Sequence, residues 1–399
     1  MVEFKTSPEF WLYVNQNVSA DTLSLRLKKE SLEFDKNLAI TQIECRQKLK
    51  SKMPDILALS EFLFPNTLSA EQCTCQEVAK YHSSLFSADD TVLDMTGGLG
   101  IDDYFISAAC KHLTTLEINE ETASAAAHNF KQLRENVTVI NTDCRDFITS
   151  TDQVFSKIFI DPARRGEANS RLFGFTDCQP DVLALLPEIR KHCSQLLIKA
   201  SPMLDISQCL KQLPCVKQIS VLSVRNDCKE VLFILDFSQE QHEITIATIN
   251  FTANGAAQQF TTAWPETAPE PLTDFPQPGD ILFEPNAAIM KSGAFATFAQ
   301  RFGLRKIHKH SHLFFAQSNE NASEVPARAF EITEITPFKD KEIKNLAKRL
   351  PKANVATRNF RLSADALKKK LRLSDGGDTY IFATTLPDNT QALIITRKF

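Results

Sequence analysis

The chain has 399 residues, of which 43% are apolar and 24% charged, and its formal net charge is −4. Such a composition leaves room for two to four domains with ordinary cores and excludes disordered, fibrous and histone-like proteins. No run of about 18 uninterrupted apolar residues occurs, so no membrane span is expected. The ten cysteines are scattered apart from the Cys73/Cys75 pair. With no export-signal pattern at the N-terminus they read as reduced cytoplasmic thiols, and no structural metal site is expected.

Residues 1–68 carry helical apolar spacing, with Asp21 as a helix start, and read as a helical cap on the next domain. From 69 to 240, short apolar runs alternate with helical stretches. The runs are Thr91–Asp94, Leu113–Glu117, Val137–Ile140, Ile158–Asp161, Leu196–Lys199 and Val231–Leu235. This rhythm predicts parallel strands joined by crossover helices, an α/β Rossmann-like sheet with ligands at the carboxyl ends of its strands. Residues 241–325 form a small α/β module. It opens on β alternation and continues through a loop with five prolines between 262 and 280. A strand, a helix over Asn286–Arg301 and two short strands near Ile307 and Phe314 complete it. Residues 326–399 order as strand, helix, strand, helix and two strands. From 301 onward there are 19 Lys and Arg against 10 Asp and Glu, so charge is polarised along the chain.

The strongest chemical signal is Val92-Leu93-Asp94-Met95-Thr96-Gly97-Gly98-Leu99-Gly100, an apolar strand ending in an acid, then a glycine loop opening a helix. Glycines let backbone approach a ligand, and the helix start offers N–H groups. A dinucleotide fingerprint needs glycine three residues beyond Gly100, where Asp103 stands. Glu117 ends the next strand, where one carboxylate can accept from two ribose hydroxyls. Asp143 and Cys144 come after the third strand; Asp143 reads both as an adenine contact and as a helix N-cap. The fourth strand runs into Asp161-Pro162-Ala163-Arg164-Arg165. Upstream, Gln72 and Thr74 lie in Glu71–Tyr81, which reads either as a cofactor-contacting helix or as a plain amphipathic one.

The D-x-x-x-G-x-G spacing resembles the first motif of class I S-adenosylmethionine-dependent methyltransferases. Asp-Pro-Ala-Arg-Arg and the module order resemble a family of bacterial methyltransferases that carry a helical N-terminal part, a ferredoxin-like module and a C-terminal THUMP-like domain. The resemblance implies S-adenosylmethionine as cofactor, with Gln72, Thr74, Asp94, Thr96, Gly98, Gly100, Glu117, Asp143 and Cys144 as its contacts. It implies Asp161, Pro162 and Arg164 as catalytic residues. Substrate binding falls to Arg164, Arg165 and Lys199, although Lys199 also reads as a surface lysine. Structured RNA, tRNA or rRNA, is the implied substrate and partner. A small-molecule or protein methyltransferase, and an inactive cofactor-binding protein, are the alternatives. Asp-Pro-Ala-Arg is also similar to the 5-methyluridine RNA methyltransferases. Those need a cysteine after the next strand, and Ser201 stands in that region. His308, His310 and His312 alternate and are expected to share one face of a strand, solvated or facing RNA, with a metal site as the lesser alternative. The run Lys368–Lys370 with Arg372 reads as a solvated helix end or a phosphate contact.

Overall fold

The computed structural model describes residues 2–164, 175–240, 243–317 and 322–399. Two compact units are present, Met1–Ile219 with Glu230–His242, and Ser220–Lys229 with Glu243–Phe399.

The first unit begins with helices α1 (Pro8–Gln16), α2 (Thr22–Leu27), α3 (Lys36–Leu49), α4 (Pro54–Leu57), α5 (Thr67–Gln72) and α6 (Gln76–Ser83). Ser7, Asp21, Asp35 and Asn66 each cap a helix through a side-chain oxygen. The apolar stripe of this region (Phe10, Ile40, Ile43, Phe64) shares one core with Leu99, Ile101 and Phe105 of the glycine-loop segment. Asn129 ties the two parts together, accepting from Leu63 N at 2.8 Å and donating to Leu63 O at 3.0 Å. The helical cap therefore braces the loop at the end of the first strand.

The sheet of this unit contains β1 (Thr91–Asp94), β2 (His112–Glu117), β3 (Val137–Asn141) and β4 (Phe155–Ile160). The two-residue strands β5 (Ala163–Arg164) and β6 (Cys178–Gln179) form a separate pair. The main sheet resumes with β7 (Cys193–Ala200), β8 (Val216–Val224) and β9 (Asp227–Asp236), of which Ser220–Lys229 count with the second unit. Between them run α7 (Ile101–Ile106), α8 (Glu120–Leu133), α9 (Cys144–Ser150), α10 (Val182–His192) and α11 (Ile206–Gln212). The order β3-β2-β1-β4-β7 is parallel throughout. Its direction reverses between β1 and β4, so the crevice at their carboxyl ends is the expected ligand position. The sixth apolar run departs from expectation, because β9 pairs antiparallel with β7. The cause is β8, which the sequence pattern hid. Arg225 and Asn226, both at positive φ, turn β8 back into β9, so no crossover is needed.

In the second unit, β10 (Ile244–Phe251) and β11 (Ala257–Trp264) pair antiparallel. A second sheet contains β12 (Ile281–Pro285), β13 (Arg305–Lys306), β14 (Phe314–Ala316), β15 (Ala327–Pro337), β16 (Asn354–Arg358), β17 (Thr379–Thr385) and β18 (Gln391–Lys398), in the order β13-β14-β12-β15-β18-β17-β16. Its helices are α12 (Ala287–Ser292), α13 (Phe295–Arg301), α14 (Asp340–Arg349) and α15 (Ala364–Leu371). The single helix expected over Asn286–Arg301 is two helices. Gly293 breaks it by taking the left-handed conformation at φ 72°. The histidine run is likewise not a strand. β13 ends at Lys306 and the chain turns through 308–311, so the three rings do not line one face.

Candidate active site

The glycine loop at the end of β1 is shaped by contacts that only glycine permits. A Cβ on Gly97 would sit 1.8 Å from Thr115 Oγ1, and one on Gly100 would sit 2.6 Å from the Phe130 ring. Gly98 and Gly100 are at φ 55° and 80°, a region that favours glycine. Gly97 N donates to Leu116 O at 2.8 Å, stitching the loop to β2. Asp94 accepts from Thr96 N at 2.7 Å, and Thr96 Oγ1 accepts from Asp161 N at 2.7 Å. Thr96 thus joins the first and fourth strand ends across the reversal point.

Two cavities open at these strand ends, of about 340 Å³ and about 450 Å³. Gln72, Thr96, Gly98, Glu117 and Asp161 line both. Thr74 and Asp94 line the first alone; Asp143 and Cys144 line the second alone. Nine predicted residues are thereby brought to one cleft, while Gly100 lies behind it as the cap of α7. Pro162 is buried directly after Asp161. Arg164 enters through its backbone, which pairs with Cys178, and Arg165 lies outside the described residues.

Each carboxylate has a distinct environment. Glu117 is half-buried; one oxygen accepts from Asn119 N at 2.6 Å, and the other has no partner among the described residues. Asp143 caps α9, accepting from Arg145 N at 2.9 Å, and also grips the Arg145 guanidinium. That grip holds its carboxyl below the usual range. The cap reading of Asp143 therefore holds, and its place at the cavity edge is compatible with it. Cys144 is buried, which pushes its thiol up to about 11 and keeps it neutral.

Asp94 and Asp103 form a buried carboxyl pair. Burial first, then their mutual repulsion, drives Asp94 well above the usual carboxylate range. Burial raises Asp103 to about 7. Among the described residues no cation pairs with either carboxyl, so both are held toward the protonated form.

Lys199 is not the surface lysine that one reading allowed. Its side chain is 13% exposed. Nζ donates to Asp161 Oδ2 at 2.6 Å and to Thr74 Oγ1 at 2.8 Å. Thr74 Oγ1 in turn donates to Asp102 Oδ2 at 2.5 Å. Behind them the wholly buried His82 bridges Asp102 Oδ1 at 2.8 Å and Glu230 Oε1 at 2.6 Å. Burial opposes protonation of His82, yet Glu230 and Asp102 raise it to about 10. Burial likewise opposes ionisation of Asp102, but His82 and Lys199 hold it at about 2. Lys199 is raised by Asp161, Asp102 and Glu230 against its burial, so it stays an ammonium.

Sequence reasoning missed His82 and Glu230 and gave Asp102 no role. His82 and Glu230 are 148 positions apart, and no local pattern connects them. Thr74 is aimed by a break in the expected Glu71–Tyr81 helix. Gln76 N donates to Lys52 O, and Cys73 and Cys75 adopt extended backbone.

The donor set suits a nucleoside with a charged tail. Glu117 offers an oxygen to ribose hydroxyls, a Cβ on Gly98 would meet only Thr96 O at 3.9 Å, and the Asp143–Arg145 ion pair beside the neutral Cys144 thiol edges the second cavity. The first unit has the class I S-adenosylmethionine-dependent methyltransferase fold, joined to small ferredoxin-like and THUMP-like modules. The ferredoxin-like domain model matches residues 282–322, and the THUMP domain-like model matches 327–398. A crystal structure of a Porphyromonas gingivalis W83 protein, designated a methyltransferase, superposes with a TM-score of 0.86. It is 30% identical and covers 99% of this chain and 100% of its own. The chain belongs to the family of that protein.

Curated relatives match more locally. Ribosomal RNA small subunit methyltransferase J of Francisella tularensis subsp. novicida (strain U112) is 33% identical over 81 residues, 18% of this chain. An uncharacterized RNA methyltransferase of Mycoplasma mobile is 27% identical over 150 residues, 36% of this chain. The chain spans only 34% and 40% of the lengths of these two proteins. Among the described residues, no helix is long and apolar enough to cross a membrane, and no cluster of His, Cys, Asp and Glu could hold a metal ion.

Proposed function

We propose that the protein transfers a methyl group from S-adenosylmethionine to a nucleotide of structured RNA, tRNA or rRNA. The observation that carries this reading is the convergence of Glu117, the Gly98 loop and Asp161 on one cleft at the strand reversal. Glu117 would hold the ribose, the Asp143–Cys144 edge the adenine, and Gln72 the methionyl side. The bound cofactor supplies an activated methyl on a sulfonium, so the chain's own task is alignment and exclusion of water.

Asp161 faces both cavities, and Lys199 fixes its Oδ2. Its other oxygen is placed to accept a hydrogen bond from an acceptor amine, orienting the nitrogen lone pair toward the methyl. Lys199, held as an ammonium, serves as an anchor for Asp161 and not as a base. The names of the Francisella and Mycoplasma relatives, which specify ribosomal RNA and RNA, support RNA as the substrate class. The excess of basic residues beyond 301 would add a sequence-independent grip on phosphates. Incubating the purified protein with methyl-labelled S-adenosylmethionine and RNA from cells lacking the gene tests this. Label in one nucleoside after nuclease digestion is expected; label confined to protein or small molecules would refute it.

A further inference from the structure

The histidine run has no part in the methyl-transfer cleft, and its surroundings in the second unit are unusual. His308 is buried and its ring ties three loops together. Asn359 Nδ2 and His310 N donate to its Nδ1 at 3.0 Å and 3.2 Å, and its Nε2 donates to Asn389 Oδ1 at 3.2 Å. His312, Asn359 and Asn389 all hold left-handed backbone, at φ 47°, 51° and 65°. Non-glycine residues in that region carry a cost that surrounding structure must sustain, and such positions gather at ligand sites. Ser311 adds a hydroxyl contact to Thr384 at 2.7 Å, fixing the turn on β17.

Positive charge collects at the same place. Glu284, 2% exposed, accepts from Arg328 Nε at 2.8 Å and from Arg358 Nη2 at 2.6 Å. Among the described residues, one carboxylate thus serves two guanidiniums and leaves an unbalanced positive charge, with both arginines partly open to solvent. Lys306 is buried with its ammonium on the Lys309 carbonyl, and Lys309 and His310 are exposed. The acids that act on Lys306 are Glu266 and Glu270, and Glu266 is spent capping Ala296 N and Thr297 N. Among the described residues, two buried polar atoms here, His312 Nδ1 and Arg358 Nε, have no hydrogen-bond partner. Buried polar atoms are almost always satisfied, so Arg358 Nε calls for an acceptor and His312 Nδ1, in the tautomer that carries its proton, for the same one. Burial, followed by the charges of Lys306, His310 and Arg358, depresses His312 to about 4.

We propose that the cluster of His312, Arg358, Arg328 and His310 is a phosphate-binding site. A phosphate oxyanion would supply the absent acceptor and neutralise the surplus charge, and guanidinium forks match its oxygens. The inference deepens the RNA reading by giving a backbone phosphate a place to dock, and it stands or falls separately from methyl transfer.

The test uses the full chain and inorganic phosphate as the first probe. Long-range proton–nitrogen spectra of the histidine rings, with the His312 signal identified by its loss in His312→Gln, are recorded against potassium chloride of equal ionic strength. A saturable phosphate-specific shift of His312 is expected, absent in Arg358→Gln. Should that variant unfold by circular dichroism, Arg328→Lys and the exposed-loop change His310→Gln replace it, with a weaker shift expected. A fluorescent oligoribonucleotide is the second probe. Displacement of phosphate by it assigns the site to RNA backbone, with the slope of log K against log salt lowered by about one in the arginine variant. Failure to displace assigns it to a small phosphate. No phosphate-specific shift of His312 in the wild-type chain overturns the proposal.

Discussion

The Asp94–Asp103 pair makes a prediction whose sign and size come from the structure. Burial raises Asp103 to about 7, whereas an unfolded aspartate titrates near 3.8. Between those values the folded chain binds more protons than the unfolded chain. Stability is therefore fully present below the unfolded value and is lost as pH rises toward and through about 7. At about 1.4 kcal/mol per unit, the full span corresponds to ~4 kcal/mol as an upper bound, and relaxation around the pair would reduce it to roughly 2–4 kcal/mol. Asp103→Asn keeps the shape and offers an amide donor to Asp94, so it should abolish most of this pH dependence. Trp11 lies in the first unit, so on a Trp264→Phe background its fluorescence during urea unfolding reports that unit. Asn at position 103 should match wild type within ~1 kcal/mol at about pH 4 and exceed it by roughly 2–4 kcal/mol in mild base. Identical pH profiles for the two proteins would refute the raised Asp103 carboxyl.

Three further outcomes are expected. Lys199→Met leaves Asp161, Asp102 and Glu230 facing one another around His82 and should cost about 3–5 kcal/mol by denaturant unfolding; a cost below about 1 kcal/mol would mean that the network is solvated. Gly100→Ala combines φ 80° with a 2.6 Å approach to Phe130 and should lose roughly 1–3 kcal/mol, seen as a lowered Tm. Gly97→Ala pushes the loop off Thr115 and should weaken S-adenosylmethionine binding more than tenfold by calorimetry, equivalent to about 1.4 kcal/mol or more.

Much of the cleft was legible because it depends on local order. A strand ending in an acid, a glycine loop and a helix start must occupy consecutive residues, so Asp94 to Gly100 could be read directly. Glu117, Asp143 and Asp161 obey the same rule at the next strand ends. What escaped depends on distance. His82 meets Glu230 only because β9 returns antiparallel beside β7, and β8, which makes that return possible, is interrupted by Lys217, Gln218, Ser220 and Ser223. Lys199 read ambiguously because an isolated lysine at a strand end carries no sign of the acids that surround it. The alternating histidines misled for a related reason: alternation predicts a strand, but the bonds of His308 to Asn359 and Asn389 favour a turn. Of the lysine run, Lys368 pairs with Asp375 at 2.7 Å and Lys370 with Asp340 at 3.4 Å, which answers part of its charge locally.

Isothermal titration of the full chain with S-adenosylmethionine addresses the cleft most directly. Saturable heat is expected for the wild type, and none for Glu117→Ala with its fold intact by circular dichroism. Equal binding by that variant, or no binding by the wild type beside a clear response to a nicotinamide dinucleotide, would contradict the assignment of this crevice.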